Sequence, residues 1–280
     1  MREIKKVLIP VDLSAQNDEF LNYSKFVVNG LKAEGILMHV MPDILGGYIP
    51  YDIVFEELEK TVESLKSSVE SALQELADKY GFAYAFDVGS PYAKIVEFVE
   101  KEKIDFVVVN GGKPGEEIGT QAHKITRKAS VPVLVYKNHE PKIEKILFTT
   151  DLSEKAEEAF PCALLLKEKF GARLTAFHVV EPISGYFDES MIGGIPLLDV
   201  KELENVALKN LKEKFKEADE HVVEVGAPTP QVIMDYAKEN GYDVIVMATH
   251  GRSGLEKILL GSVTEKIVRF SHVPVLVSRV

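Results

Sequence analysis

The feature that most constrains the fold of this chain is an internal repeat. The segment "KKVLIPVDLSAQNDE" returns 139 positions later as "EKILFTTDLSEKAEE", and "ILMHVMPD" returns as "TAFHVVEP" at the same offset. Near the end of each copy, "SVPVLVYK" returns as "HVPVLVSR". A nearly constant offset indicates two copies of one structural unit. We therefore predict two domains, residues 1–138 and 143–280, joined by a polar stretch that contains Pro141.

Each copy alternates short apolar runs with longer amphipathic stretches. The runs VLIPV, ILMHV, FVVVN and PVLVY of the first copy show too little alternation for a sheet with one exposed face, so we expect strands covered on both faces. Helical periodicity occurs between the strands, for example over 55–80 and 200–219. This order predicts an α/β fold of two tandem doubly wound, Rossmann-like domains, each a five-stranded parallel sheet flanked by helices. Ligands of such sheets bind beyond the carboxyl ends of the strands.

Composition argues against several partners. The formal net charge is −11 and no basic stripe is present, which disfavours nucleic acid. No apolar run is long enough to span a bilayer, and the amino-terminal residues do not resemble a signal peptide. The only cysteine, Cys162, cannot form an intramolecular disulfide. We expect a cytoplasmic protein without membrane insertion.

The stretch "THGRSGLEKILLGSVTEK" at 249–266 follows a predicted strand at one of the carboxyl ends where ligands bind. Its glycines permit close approach of a ligand to the backbone, and the helix predicted to begin near Val263 has N–H groups without partners inside the helix. Together these groups could hold a phosphate chain. The alternative is a capping box, in which Ser262 caps the helix and Glu265 completes the pair.

The same stretch, with the strand that follows it, resembles the G-x2-G-x9-G-[ST] nucleotide loop of the universal stress protein family. The resemblance covers nearly the whole chain, because each copy also has the family's first strand ending in Asp and its "HV" second strand. The chain is thus similar to a tandem universal stress protein. One departure is visible in the second copy, where Ala248 stands in place of the first glycine of the pattern.

The resemblance implies that the second copy binds ATP, with any Mg²⁺ held mainly by the phosphates. Family members that bind ATP place adenine near the first-strand Asp and the second-strand Val, here Asp151 and Val179, and the glycine loop receives ribose and phosphates. The alternative for Asp151 is that it, or the nearby Ser153, is a helix N-cap. For His250 and Arg252 the alternative is an ordinary loop role without catalysis or ligand contact. The full set of residues implied to bind the nucleotide is Thr149, Thr150, Asp151, Val179, Met247, Ala248, His250, Gly251, Arg252, Gly254, Gly261, Ser262, Val263 and Thr264.

The matching loop of the first copy, "NGGKPGEEIGTQAHK", departs further from the pattern. Only six residues separate Gly112 from Gly119, where the second copy has nine between its glycines. Glu116 and Glu117 bring negative charge to the place where phosphates would need cations or amides, and Lys113 compensates in part. We predict that the first copy has lost canonical ATP binding and keeps a structural or partner-binding role.

The sequence favours a regulatory module over an enzyme. It contains no metal-ligand spacing and no Ser-His-Asp or Cys-His arrangement, so we predict an ATP-binding stress-response regulator, at most a weak ATPase. The alternatives are a nucleotide-free tandem scaffold for a protein or lipid partner, and a hydrolase or transferase on a related α/β fold.

Other segments suggest how the chain associates. The long apolar connections at 42–55 and 181–199 are predicted either to contact a protein partner or to pack on their own domains. Because domains of this family associate through their last strands, the resemblance also implies an intramolecular pseudo-dimer, and two chains could form a homodimer.

Overall fold

The computed structural model describes residues 3–13, 18–43, 55–181, 200–249 and 260–279. The chain divides into two compact units, and the division falls between Lys142 and Ile143. Each unit contains a five-stranded parallel sheet flanked by helices, so the predicted fold class is confirmed. Most of the connections predicted to contact a partner, residues 44–54 and 182–199, lie outside the described residues.

The strands of the first unit lie in the order β3-β2-β1-β4-β5. The order reverses between β1 and β4, which is the signature of a doubly wound sheet. In chain order the described elements of this unit are β1 (Lys6–Pro10), α1 (Asp18–Leu31), β2 (Glu34–Met41), α2 (Phe55–Tyr80), β3 (Ala83–Val88), α3 (Pro91–Lys101), β4 (Phe106–Asn110), α4 (Thr120–Lys128) and β5 (Val133–Tyr136).

The second unit repeats this order as β8-β7-β6-β9-β10. Its central strand β6 pairs in parallel with β7 on one side and with β9 on the other, so that the carboxyl ends of the three strands are neighbours. The described elements are β6 (Lys145–Thr149), α5 (Glu154–Glu157), α6 (Phe160–Phe170), β7 (Arg173–Val180), α7 (Val200–Lys214), β8 (Glu220–Val225), α8 (Thr229–Glu239), β9 (Val244–Ala248), α9 (Ser262–Phe270) and β10 (Val275–Ser278).

The central strands carry the core of each unit. Every residue of β9 is buried, and β6 is buried after its first residue, as expected for strands covered by helices on both faces. An aspartate anchors the start of the central strand in both units. The carboxylate of Asp243 accepts the N–H groups of Glu144 (2.7 Å) and Lys145 (2.8 Å), and Asp105 makes the same pair of bonds in the first unit.

One helix prediction was too long. Periodicity indicated a helix over 200–219, but α7 ends at Lys214. Phe215 is buried and packs edge-on against Phe148 and Phe160, with ring centroids 5.1 Å and 4.9 Å away. The chain then turns, and the carboxylate of Asp219 accepts the N–H group of Leu174 at the start of β7. Packing against the rest of the unit thus ends the helix at Lys214, before the helical pattern of the sequence ends.

Candidate ligand-binding site

A cavity of about 640 Å³ lies at the carboxyl ends of β6, β7 and β9 in the second unit. The predicted residues His250, Gly251, Arg252 and Gly254 lie outside the described residues. All the other predicted site residues line this one cavity: Thr149, Thr150, Asp151, Val179, Met247, Ala248, Gly261, Ser262, Val263 and Thr264.

The first turn of α9 forms one end of the cavity. Gly261 is the N-cap with φ −61° and ψ 153°, no side chain caps the helix, and Ser262 is its first helical residue. The capping-box interpretation of Ser262 and Glu265 is therefore wrong, because Ser262 lies one position inside the helix. The Gly261 N–H donates to Thr249 O at 2.8 Å. The next three N–H groups have no acceptor within the helix and carry the positive end of its dipole.

The hydroxyls of this turn differ in what they can offer a ligand. Thr264 is buried, and its hydroxyl donates to Ala248 O at 3.0 Å. A phosphate oxygen only accepts hydrogen bonds, so the Thr264 hydroxyl cannot donate to a phosphate while it makes this bond. Ser262 is exposed at the start of the helix and is the hydroxyl of this turn that can donate.

Asp151 does not cap a helix, which corrects the alternative considered for it. One of its carboxylate oxygens accepts the N–H (3.0 Å) and the hydroxyl (2.5 Å) of Ser153. Ser153 is the N-cap of α5, and its hydroxyl oxygen accepts the N–H of Ala156 at 3.3 Å. Asp151 thus orients the capping residue while it lines the cavity.

The backbone between these groups is strained. Leu152 has φ +65°, a conformation that is uncommon for a residue with a side chain. Its N–H donates to the Thr150 hydroxyl at 3.0 Å, which helps to hold the turn. Strained residues persist only where the surroundings enforce them, and they cluster at functional sites.

A histidine in the second strand of each unit is bonded to the loop that follows the first strand. His178 Nδ1 lies 2.8 Å from Thr150 O, and His39 Nδ1 makes the equivalent contact with Val11 O at 2.9 Å in the first unit. Because a carbonyl only accepts, Nδ1 carries the hydrogen in both rings. These bonds tie the end of the first strand to the second strand in each unit.

Charge is distributed unevenly around the cavity. Glu181 accepts the N–H and the hydroxyl of Thr229, both at 2.6 Å, and so caps α8 from outside the helix. The hydroxyl bond and then the amide bond hold the pKa of Glu181 below its ordinary value, and the charge of Lys266 adds to this effect. Glu181 lines the same cavity as the first turn of α9, so its carboxylate adds negative charge to the site.

Sequence reasoning missed the largely apolar wall of the cavity. Helix α7 supplies part of it, and Val206 on this helix is 54% exposed, which is unusual for a large apolar side chain. An amphipathic helix signals that one face is buried but not against what, so the pattern alone could not assign this wall to a site. The lining residues that were not predicted are Leu152, Ala156, Phe177, His178, Val180, Glu181, Leu203, Val206, Ala207, Asn210, Thr229 and Ile233.

The equivalent loop of the first unit is held by a buried lysine. Lys137 is fully buried, and its ammonium donates to Gly111 O (3.1 Å) and Glu116 O (3.0 Å). Burial lowers the pKa of Lys137 to about 8, although the charge of Glu116 acts in the opposite direction. A Cβ at Gly111 would meet Val135 Cγ1 at 2.5 Å, so the chain packs closely there. The sequence analysis did not predict these hydrogen bonds of Lys137.

Two further features of the described residues concern metals and membranes. Within the described ranges, no group of three or more His, Cys, Asp or Glu side chains is arranged to hold a metal ion. No helix in the same part of the chain is both long and apolar enough to cross a membrane.

Two doubly wound parallel sheets in one chain define a tandem Rossmann-like α/β protein. Comparison with protein families narrows this class. The model described as "Universal stress protein family" matches residues 3–137 and again residues 142–279. The chain therefore belongs to the universal stress protein family and contains two of its domains.

Individual relatives agree with this assignment. Universal stress protein MJ0531 of Methanocaldococcus jannaschii is 34% identical over 151 residues, covering 51% of this chain and 86% of the relative. A universal stress protein of Mycolicibacterium smegmatis is 25% identical over 294 residues, 98% of this chain and 96% of its own. A crystal structure of a universal stress protein from Archaeoglobus fulgidus shares the fold, with a TM-score of 0.61, 22% identity and coverage of 98% and 96% of the two chains.

Proposed function

We propose that this protein is an ATP-binding regulator of the stress response and that the second unit holds the nucleotide. The observation that carries the proposal is that the described residues expected to bind ATP line one cavity of about 640 Å³. They come from separate strand ends and from a helix start, so their convergence is a property of the fold and not of sequence proximity.

The chemistry of the cavity suits a nucleotide with one anionic end. Phosphates would lie against the first turn of α9, where the N–H groups of Ser262, Val263 and Thr264 lack intrahelical acceptors. The base would lie between Asp151 and Val179, against the apolar wall that includes Val206. Each charge-assisted hydrogen bond to phosphate contributes on the order of 1.5 to 3 kcal/mol.

Binding is the proposed role, and chemistry on the nucleotide is secondary. Any Mg²⁺ would arrive with the phosphates and be held mainly by them, since the described side chains offer no preformed cluster. We propose that the protein acts in the cytoplasm, where ATP binding would alter its contact with a protein partner. We also propose that its two domains form an intramolecular pseudo-dimer.

The test begins with the purified full chain. We would denature it, identify any released nucleotide, and then titrate ATP into nucleotide-free protein. The matched variants are Gly261→Val and Gly119→Val, which alter the N-caps of the equivalent helices α9 and α4. Both glycines have φ near −60° with extended ψ, so valine fits the backbone at either position.

The two variants should differ sharply. We expect ATP to bind the wild-type chain and Gly119→Val equally, because a Cβ at Gly119 meets nothing within 4 Å. Gly261→Val should abolish measurable binding by placing a branched side chain at the phosphate end of the cavity. Equal binding by Gly261→Val would move the site elsewhere. A wild-type chain that binds no adenine nucleotide would favour the nucleotide-free scaffold.

A further inference from the structure

Thr149 has a buried hydroxyl that the part of the chain described by the structure does not pair. The residue is 5% exposed, ends the central strand β6 and lines the cavity. Its hydroxyl is buried and, among the described residues, has no hydrogen-bond partner. Buried hydroxyls are nearly always paired, because an unpaired one loses its bonds to water without replacement.

The other two buried threonines of the cavity provide the contrast. The Thr264 hydroxyl donates to Ala248 O at 3.0 Å, and the Thr150 hydroxyl accepts the Leu152 N–H at 3.0 Å. Both are 5% to 8% exposed, like Thr149, so burial alone does not account for the difference. Within the described ranges, two of these hydroxyls are hydrogen-bonded and that of Thr149 is not.

The fold does not require a polar group at this position. The first unit has Pro10 at the equivalent end of β1, paired with Met38 as Thr149 is paired with Phe177. Pro10 has no side-chain hydroxyl, and β1 forms the same parallel pairs with its neighbours. The sheet therefore does not need the hydroxyl of Thr149, and no described residue pairs with it, which points to a ligand as its partner.

We infer that Thr149 is a specificity-determining residue whose hydroxyl forms a hydrogen bond with the polar edge of the bound base. This inference rests on the proposed function and names one recognition contact within it. Thr149 lies two residues before Asp151 and beside Phe177 in the register of the sheet, surroundings that suit a base rather than a phosphate. At most a rotation about its Cα–Cβ bond separates the hydroxyl from the cavity that the residue lines.

The test compares Thr149→Val, which replaces the hydroxyl by a methyl of similar size, with Thr149→Ser, which keeps it. We expect Thr149→Val to bind ATP about tenfold more weakly than the wild-type chain, the effect of one hydrogen bond, and Thr149→Ser to bind nearly as well as wild type. Purine riboside triphosphate and the 1-, 3- and 7-deaza analogues of ATP each lack one polar group of the base. For the analogue that lacks the group facing Thr149, wild type and Thr149→Val should bind equally.

A second readout needs no ligand. Without nucleotide, Thr149→Val should melt at the wild-type temperature or above it, because the substitution removes an unpaired hydroxyl. The control Thr264→Val should melt lower, because it breaks the bond to Ala248. If both variants lowered the melting temperature equally, the Thr149 hydroxyl would already be paired in the free protein. That result would overturn the inference.

A failure of this inference can be distinguished from a failure of the proposed function. If the wild-type chain binds ATP and Thr149→Val binds it equally well, this inference is wrong and the proposed function stands. If the wild-type chain binds neither ATP nor the analogues, the proposed function fails and this inference fails with it.

Discussion

Helices α4 and α9 follow equivalent strands, β4 and β9, in two copies of one fold, yet the surroundings of their first turns differ. In the first unit Lys137 donates to the carbonyls of Gly111 and Glu116, so the chain supplies its own cation to the loop. Both α4 and α9 begin after a glycine without a side-chain cap, but in the second unit the first helical residue, Ser262, lines a cavity of about 640 Å³. One copy is closed by a buried side chain, and the other exposes groups that a ligand could satisfy.

This difference shows how the surroundings of equivalent positions can diverge between two copies of one fold. The strand order, the anchoring aspartates and the strand-two histidines are the same in both units. The units differ in the number of residues between β4 and α4 and between β9 and α9. They also differ in a few side chains at the carboxyl ends of the strands. The comparison therefore predicts that matched substitutions will have unequal effects in the two units.

The largest expected difference comes from replacing the first residue of each helix by proline. Proline is favoured at this position and leaves the helix intact, but it removes one backbone N–H. Ser262→Pro removes an amide and a hydroxyl from the cavity, and we expect ATP affinity to fall by about 150-fold or more, because two charge-assisted bonds are lost. Calorimetric titration with ATP would measure this loss of affinity.

The matched control is Thr120→Pro, since Gly119 before it has the same extended conformation as Gly261. It should leave ATP affinity unchanged. A comparable loss in Thr120→Pro would mean that the first unit contributes to binding.

The next effect concerns Lys137, which holds the loop after β4 in the first unit. Lys137→Met keeps the volume of the side chain but leaves the carbonyls of Gly111 and Glu116 without the ammonium. We expect the free energy of unfolding at pH 7 to fall by about 2 kcal/mol, with ATP affinity unchanged. Urea unfolding measures the first quantity, and titration with ATP the second. Stability equal to wild type would show that Lys137 does not hold the loop.

The same lysine predicts a pH dependence. Burial lowers the pKa of Lys137 from 10.5 to about 8, so between these values the unfolded chain binds the proton more strongly than the folded chain. Raising the pH through this window therefore stabilises the folded protein. Relative to Lys137→Met, the wild-type free energy of unfolding should rise by about 1 to 2 kcal/mol between pH 8 and pH 10. A flat or falling difference would contradict the assignment.

The smallest expected effect separates two N-cap serines. Ser153 caps α5 through its hydroxyl, whereas the Ser90 side chain makes no cap bond to α3. Ser153→Ala should cost about 1 kcal/mol of stability and, by releasing Asp151, weaken ATP binding by a few-fold. Ser90→Ala should change neither measurably. Thermal unfolding and titration of the two variants test the pair, and equal effects would refute the role given to Ser153.

Sequence reasoning succeeded where the signal was repeated or periodic. The internal repeat and the apolar runs led to two parallel α/β units, because buried strands and amphipathic helices leave patterns that survive without coordinates. The resemblance at residues 249–266 led to Ser262 and its neighbours, and strand topology brought them to one cavity with Asp151.

The failures were at positions decided by tertiary contacts. A lysine after a strand is usually solvated, so nothing local indicated that Lys137 would reach two loop carbonyls. The pattern Ser-x-x-Glu suggested a cap at Ser262, but Gly261 takes that position in the fold. The unpaired hydroxyl of Thr149 is likewise visible only when its surroundings are known.

The central claim is that one nucleotide binds per chain, in the second unit only. A crystal structure of the full chain grown with excess of a non-hydrolysable ATP analogue tests it most directly. We expect one analogue per chain, with phosphates against the first turn of α9 and the base between Asp151 and Val179, and Lys137 still bonded to its loop in the first unit. An analogue bound at the β4 loop, or a cavity in the second unit that stays without ligand, would contradict the account.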